Sequence, residues 1–425
     1  ELVIPDNVAR IGSYEVFGNC NKITSIVFGE GLTSVYSDSF YGCTAVKEVT
    51  FKGLNVPNGY FMSCLNTSLE TVYVPAEKYS EYVTAFASYV GNAKIQISGS
   101  DEDFTVTDGV LLLYSGAGGS VTIPAGVEKI GQSAFQNCTT IISVTFNEEL
   151  VSIDTYAFSG CTNLEEIKFN EGLSSIGNNA FYGCTGLTTL IFNTGLTSIG
   201  NNAFQNCTGL EAVEFNEGLT SIGGYAFYGC TGLTELTMNA ELTTIGEYAF
   251  CDLPKLETVA FNEKLETIGA AAFSGCTRLT GDLVIPESVT SIGNSAFQNC
   301  TGLNGKLTIE GNAESTTIGS SAFYGCTQIT SLELGDGITS IGNSAFYDCY
   351  NLESVSVPDG MTKFGVWVFA RCFRLEKIDL PDSITFIGKG AFDKQDIFQG
   401  TTVHASSGSY AEAFANENGI TFVAK

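Results

Sequence analysis

The stretch 199–223, IGNNAFQNCTGLEAVEFNEGLTSIG, contains one full unit of this chain and ends on the Ile-Gly pair that opens the next. The opening phrase recurs as IGQSAFQNC, IGNNAFYGC, IGGYAFYGC and IGNSAFQNC. Its Phe falls at Phe135, Phe158, Phe181, Phe204, Phe227, Phe250 and Phe273 at a constant spacing of 23, then at Phe297, Phe323, Phe346, Phe369 and Phe392 after small insertions. A fixed period of this length marks a solenoid of about twelve stacked coils. Within the quoted coil, Leu210, Val213 and Phe215 follow an L-x-x-L-x-L pattern that sends Val213 and Phe215 inward and Glu214 outward on a short strand. Leu219 to Ile222 supply a second inward set on the opposite wall, and Gly223 leads into the Ala226-Phe227 turn. That turn is too short for more than about one helical turn or a 3₁₀ piece.

A single coil cannot bury its apolar face alone, whereas stacked coils share one core. Truncating an inward ring such as Phe204 should therefore cost on the order of 3–5 kcal/mol. An Asn follows the strand at Asn147, Asn170, Asn193, Asn216, Asn239 and Asn262, where its amide is expected to satisfy backbone groups at the turn. Pro5, Pro124, Pro286, Pro358 and Pro381 occupy the same place in other coils, fixing φ and ending the pairing.

The repeat appears twice. Residues 1–75 form a first block around Phe17, Phe40 and Phe61, and residues 120–400 form the second. Between them, residues 76–119 break the pattern: Tyr79, Tyr82, Val83 and Phe86 have helical spacing, and Phe104 to Tyr114 alternate around Asp108-Gly109 as a hairpin does. Residues 401–425 repeat the closing plan with Tyr410, Phe414 and a strand over Ile420 to Val423, as a solenoid end requires. The first Met is Met62 and Glu1 stands inside a repeat, so the first block is expected to be truncated, with an export signal or anchor upstream.

Hydrophobic residues make up 44% of the 425 and charged residues 15%, which excludes disorder. The 46 Asp and Glu against 19 Lys and Arg give a formal charge of -27, which repels nucleic acid and anionic lipid. No apolar run approaches the roughly 18–20 residues of a spanning helix, so no direct membrane insertion is expected.

The phrase IG-x-x-AF-x-x-C, the following L-x-x-V-x-F with IP or FN, and the hairpin FTVTDGVLLLYSG together resemble the BspA-type leucine-rich-repeat surface proteins, over nearly the whole chain. The resemblance implies a right-handed leucine-rich-repeat solenoid, with a parallel β-sheet on one face and short turns or 3₁₀ or α pieces on the other, plus capping helix and hairpin segments. It also implies export to the cell surface of a bacterium and adhesion to host matrix proteins or other cells. Departures from the phrase occur at Cys251, with Leu253 in the usual Cys place, at Phe364-Gly365, and at Gln395 in the last coil.

Fourteen Cys invite a disulfide reading, but Cys138, Cys161, Cys184, Cys207 and Cys230 each stand three residues after the inward Phe. Such a column has parallel side-chain vectors, poor geometry for bridges, and is expected to hold free thiols. No CxxC pair exists and His404 is the lone His, so no metal site, no cofactor and no nucleophilic catalytic centre is expected. The Asp101-Glu102-Asp103 cluster lacks the spacing of a calcium loop and reads as a solvated linker. The chain is accordingly read as a non-enzymatic binding protein and as a monomer.

The candidate ligand-binding row is the outward residue of each strand: Thr145, Lys168, Ile191, Glu214, Thr237, Ala260, Val284, Thr308, Glu333, Ser356 and Asp379. Solenoids bind through such extended faces. Its expected occupant is a protein ligand, a host extracellular-matrix or cell-surface protein. A second edge carries the residue after the Phe, Tyr at Tyr41, Tyr182, Tyr228, Tyr324 and Tyr347, which also reads as part-buried cover for the neighbouring coil. The alternative function is a structural spacer or display scaffold in a larger surface protein.

Overall fold

The coils of the second unit turn on residues held at positive φ, and the repeat phrase supplies them. The computed structural model describes residues 1–12, 14–65, 68–75, 78–97, 103–312, 315–393 and 400–425. In it the residue two after the inward Phe of the phrase adopts the left-handed region, as at Asn137 (φ 60), Gly160 (φ 76), Gly183 (φ 69), Asn206 (φ 60) and Gly229 (φ 70). Gly has no Cβ to clash there and Asn tolerates the conformation, which is why the phrase alternates between GC and NC. Asp252 (φ 57) fills the slot where the Cys is displaced to position 251. Arg371 (φ 60) fills it in a later coil, a costly choice for a long side chain.

The chain divides into two compact units, Glu1–Gly116 and Ala117–Lys425. In the second, the strands run in parallel on two walls. The outward face carries short runs: Gly119–Thr122, Ile141–Thr145 and Glu166–Lys168 form one, and Leu283–Ile285, Lys306–Ile309, Ser331–Leu334 and Ser354–Ser356 another. The opposite wall carries the longer ladder, twelve strands of two to four residues from Lys129–Ile130 to Phe386–Ile387 in unbroken order. Its register repeats Ser-Ile on Ser-Ile, as in Ser175↔Ser198 and Ile176↔Ile199. The inward Ile and Leu of both walls and the Phe of every turn are buried, while the strand residues Phe169, Phe215 and Phe261 are half-buried.

Between the walls runs a spine of rings. Phe158, Phe181, Phe204 and Phe227 stack face to face at 5.1, 5.1 and 5.3 Å between centroids, and the stacking extends from Phe135 to Phe392. Phe192 meets Phe204 edge-on at 5.8 Å, so rings of the strand pack against rings of the turn. Such offset and edge contacts add about 0.5–1.5 kcal/mol per pair beyond burial.

Two side-chain columns tie each coil to the one before it. Asn193 Nδ2 donates to Glu171 O (3.2 Å) and Leu173 O (2.8 Å), and Asn216 Nδ2 to Thr194 O (3.3 Å) and Leu196 O (2.9 Å). The amides therefore satisfy carbonyls of the preceding coil, where the sequence suggested the turn of their own. Cysteine does the same: the thiols of Cys161, Cys184, Cys207 and Cys230 donate to the carbonyls of Phe135, Phe158, Phe181 and Phe204 at 3.1–3.2 Å. All fourteen Cys are free.

In the first unit, Leu2–Ile4, Ser25–Phe28, Glu48–Phe51, Thr71–Val74 and Lys94–Ile97 form a five-stranded parallel sheet. The helix Tyr79–Phe86 lays Tyr82 and Phe86 on Phe51 (5.1 and 5.2 Å), and Tyr82 Oη donates to the carbonyls of Gly53 and Asn55. The hairpin is present: Phe104–Thr107 pairs antiparallel with Val110–Tyr114, and Asp108 (φ 48) and Gly109 (φ 75) give the turn both positive φ angles of type I′. In the second unit the helix Tyr410–Glu417 is capped by Ser409, whose side chain accepts from Glu412 N, and it buries Phe414. Phe422–Ala424 then pairs with Thr402–Ala405.

Candidate binding faces of the solenoid

The outward row is built by register. Parallel pairing sets Thr145 beside Lys168, Ile191 beside Glu214, and Thr237 beside Ala260. Val284, Thr308, Glu333 and Ser356 follow one another in the same way, and Asp379 pairs with His404. Because side chains alternate along a strand, the inward Val213 and Leu307 force Glu214 and Thr308 to the other face. Thr308 is half-buried and the other ten are exposed.

The row runs further than the sequence reading took it. Thr122 precedes Thr145, and His404 and Val423 follow Asp379. The signal was present in Thr-Val-His-Ala over 402–405, whose inward Val403 and Ala405 match Ile378 and Leu380 one coil earlier. The break in the Phe phrase hid it.

Ion pairs cross the face: Lys306 with Glu333, Arg278 with Glu257 (2.8 Å), Arg374 with Glu353 (3.0 Å) and Lys425 with Asp379 (3.3 Å). All are largely exposed, so each contributes about 0–1 kcal/mol to stability. Their effect is on the local field. Towards the C-terminal end the face dips into an open depression of about 1020 Å³ lined by Glu353, Phe373, Arg374, Lys377, His404 and Thr421. Arg374, Lys377 and His404 place hydrogen-bond donors in it, within a chain whose net charge is -27.

On the turn edge, Tyr41 and Tyr182 are exposed, while Tyr228, Tyr324 and Tyr347 are half-buried. Tyr324 and Tyr347 stack at 5.1 Å. The strained Arg371 lies 5.9 Å from the Tyr347 ring and 5.4 Å from that of Tyr350, and its guanidinium pairs with Asp348 at 3.0 Å. Rings and a counter-ion hold this Arg against its backbone cost. The hydrogen bond to Asp252 and the charge of that carboxylate push the Tyr228 hydroxyl above the ordinary tyrosine value.

The buried thiols are chemically quiet. Burial, reinforced by the neighbouring Cys161, pushes Cys138 up to about 11, and burial beside Asp252 pushes Cys251 to about 12. A thiol protonated at neutral pH is a poor nucleophile and a poor metal ligand. Among the described residues no group of three or more His, Cys, Asp or Glu is placed to hold a metal ion, and no helix is long and apolar enough to cross a membrane. Asp101 and Glu102 of the acidic cluster, and Gln395, lie outside the described residues.

Among solved structures, a leucine-rich repeat protein from Bacteroides ovatus is 25% identical, with a TM-score of 0.53, over 77% of this chain and 97% of its own. A T. pallidum leucine-rich repeat protein is 27% identical over 42% of this chain and 87% of its own, with a TM-score of 0.40. One from Eubacterium ventriosum is 25% identical over 69% and 92%, with a TM-score of 0.44. No curated protein matches the chain. The profile of the BspA type leucine rich repeat region matches residues 1–104, 114–210, 174–304 and 306–421. With the repeat, both ladders and nearly every residue accounted for by that profile, the chain belongs to the BspA type leucine-rich-repeat family.

Proposed function

We propose that this chain is an extracellular, non-enzymatic binding protein that adheres to a host or neighbouring-cell protein through the outward strand row of its second unit. The observation that supports the reading most is the row itself, a largely exposed file of side chains carried by five parallel runs between Thr122 and Val423 on a scaffold whose core is stacked aromatic rings. A rigid, pre-organised surface loses little entropy on binding. The partner is a basic protein, because a charge of -27 steers cationic surfaces and repels nucleic acid. The row carries carboxylates at Glu214, Glu333 and Asp379, the last two each held beside a Lys, and these are its contacts to a cationic surface.

The experiment is a binding screen of the purified chain against extracellular-matrix proteins at physiological salt, followed by Glu214→Lys, Glu333→Lys and Asp379→Lys in combination. Saturable binding that weakens with salt and drops at least tenfold in the triple variant supports the reading. Saturable binding untouched by the substitutions moves the contact to the Tyr edge. No saturable binding to any matrix or cell-surface protein leaves the spacer.

A further inference from the structure

The first unit departs from the repeat on its second wall. In the second unit this wall is paved by Ile-Gly, and the Gly column is a contact between coils: a Cβ on Gly200 would meet Gly177 C at 2.6 Å and Asn178 N at 2.8 Å. Among the described coils of the second unit, Asp154 is the one side chain in that column. In the first unit the strands Arg10–Ile11 and Ser34–Val35 pair in register, and Tyr36 stands directly after Val35 where the phrase would place Gly. The next coil turns on the 3₁₀ helix Gly59–Cys64, which raises Tyr60 from the same wall. Tyr36 and Tyr60 are 54% and 61% exposed, and between them lies an open depression of about 550 Å³ lined also by Arg10, Ser34, Ser37 and Asn58.

We propose that this depression binds a carboxylate-bearing sugar, as a site separate from the outward row. Its volume lies within the range of small-ligand sites. Two aromatic rings held on the wall offer flat faces to the C–H face of a pyranose, and Tyr60 is braced from behind by Tyr89 at 5.1 Å. The two Ser hydroxyls and the Asn58 amide both donate and accept, which matches the vicinal hydroxyls of a sugar. Arg10 forms no ion pair among the described residues, and a guanidinium fork matches a carboxylate in two parallel hydrogen bonds. In a chain of charge -27, an anion is admitted only where such a local cation stands. An apolar peptide would leave these hydroxyls and the amide unpaired, which disfavours it.

The test uses the whole chain, titrated with N-acetylneuraminic acid and glucuronic acid, and with glucose and N-acetylglucosamine as neutral counterparts, by saturation-transfer NMR and calorimetry. Saturable binding of at least one acid, with the neutral sugars at least tenfold weaker, is expected. Arg10→Ala should abolish the preference for the acid, Arg10→Lys should restore part of it, and Tyr60→Ala should weaken both classes. Melting curves of each variant check the fold, and the Glu214→Lys, Glu333→Lys, Asp379→Lys variant should bind the sugar as the parent does. Absence of binding to either acid, equal binding of neutral sugars, or full binding by folded Arg10→Ala overturns the proposal, and none of these outcomes touches the adhesive reading of the outward row.

Discussion

Truncating Phe204 to Ala removes a ring that is completely buried and stacked on Phe181 at 5.1 Å and on Phe227 at 5.3 Å. A buried Phe→Ala change costs about 3–5 kcal/mol from lost transfer energy and the cavity left behind. Two stacked partners and the edge contact to Phe192 are lost together, which places Phe204→Ala at the upper end, about 5 kcal/mol. The coils above and below are clamped by their own neighbours and cannot collapse into the gap. In a repeat array such a loss is local, because each coil touches only its neighbours. Hydrogen exchange by mass spectrometry is therefore the assay: protection should fall in 176–233 and stay near parental values in 338–392. Phe392→Ala, in the last turn of the spine with a ring pair opened to 6.1 Å, should cost less. A Phe204→Ala protein that melts as the parent does, or one whose protection falls evenly along the chain, refutes the stacked spine as the source of stability.

Asn216→Ala removes two donors and strands the carbonyls of Thr194 and Leu196, so a loss of about 1–3 kcal/mol is expected in urea unfolding. Gly229→Ala forces a Cβ into the left-handed region at a cost of about 1–2 kcal/mol and sets it 2.6 Å from Asn206 Oδ1, whereas Gly183→Ala meets nothing and should lose only the backbone part; melting temperatures of the pair separate the two effects. The thiols give an alkaline dependence. Burial raises Cys138 to about 11 and Cys251 to about 12 from an ordinary 9.0, so the folded state holds these protons more tightly than the unfolded chain. Stability from this source is complete below pH 9 and is lost as the pH rises through 11 to 12. The melting temperature should be flatter over that window in Cys138→Ala with Cys251→Ala than in the parent. Thiol titration of the native protein at pH 8 should modify the half-exposed Cys20 and Cys64 first, with half-exposed Cys138 slowed by its raised pKa, while the eleven buried thiols should react together only in denaturant.

The Phe spacing and the period-two alternation around Val213 were enough to read the solenoid, because both are consequences of burial, which sequence composition reports directly. The helices near Tyr82 and Phe414 and the hairpin at Asp108-Gly109 were legible for the same reason, the last through a turn dipeptide. The outward row was legible from alternation as far as Asp379, and it stopped there because His404 belongs to a strand outside the phrase. What sequence could not supply was anything set between coils. An Asn at a fixed place looks the same whether its amide bonds to its own turn or, as Asn216 does, to the preceding one. The depression at Tyr36 and Tyr60 was hidden likewise, since it exists only once Arg10, Ser34 and Asn58 from three coils are stacked.

The hydrogen bonds between coils have a direction. Side-chain donors reach backwards, from Asn216 and Cys207 to the coil already made, while turn amides such as Phe204 N and Asn206 N donate forwards, to Ala226 O and Tyr228 O of the coil to come. As the chain leaves the ribosome N-terminus first, each new coil can fasten itself at once to its predecessor, and offers fresh amides to its successor. Growth of this kind resembles a zip more than a collapse, and the growing tip stays adhesive until something ends it. The helix Tyr410–Glu417, which buries Phe414 against the ring of Phe392, is then the device that closes the core, and a chain interrupted before residue 400 would carry an open tip able to template another copy of itself.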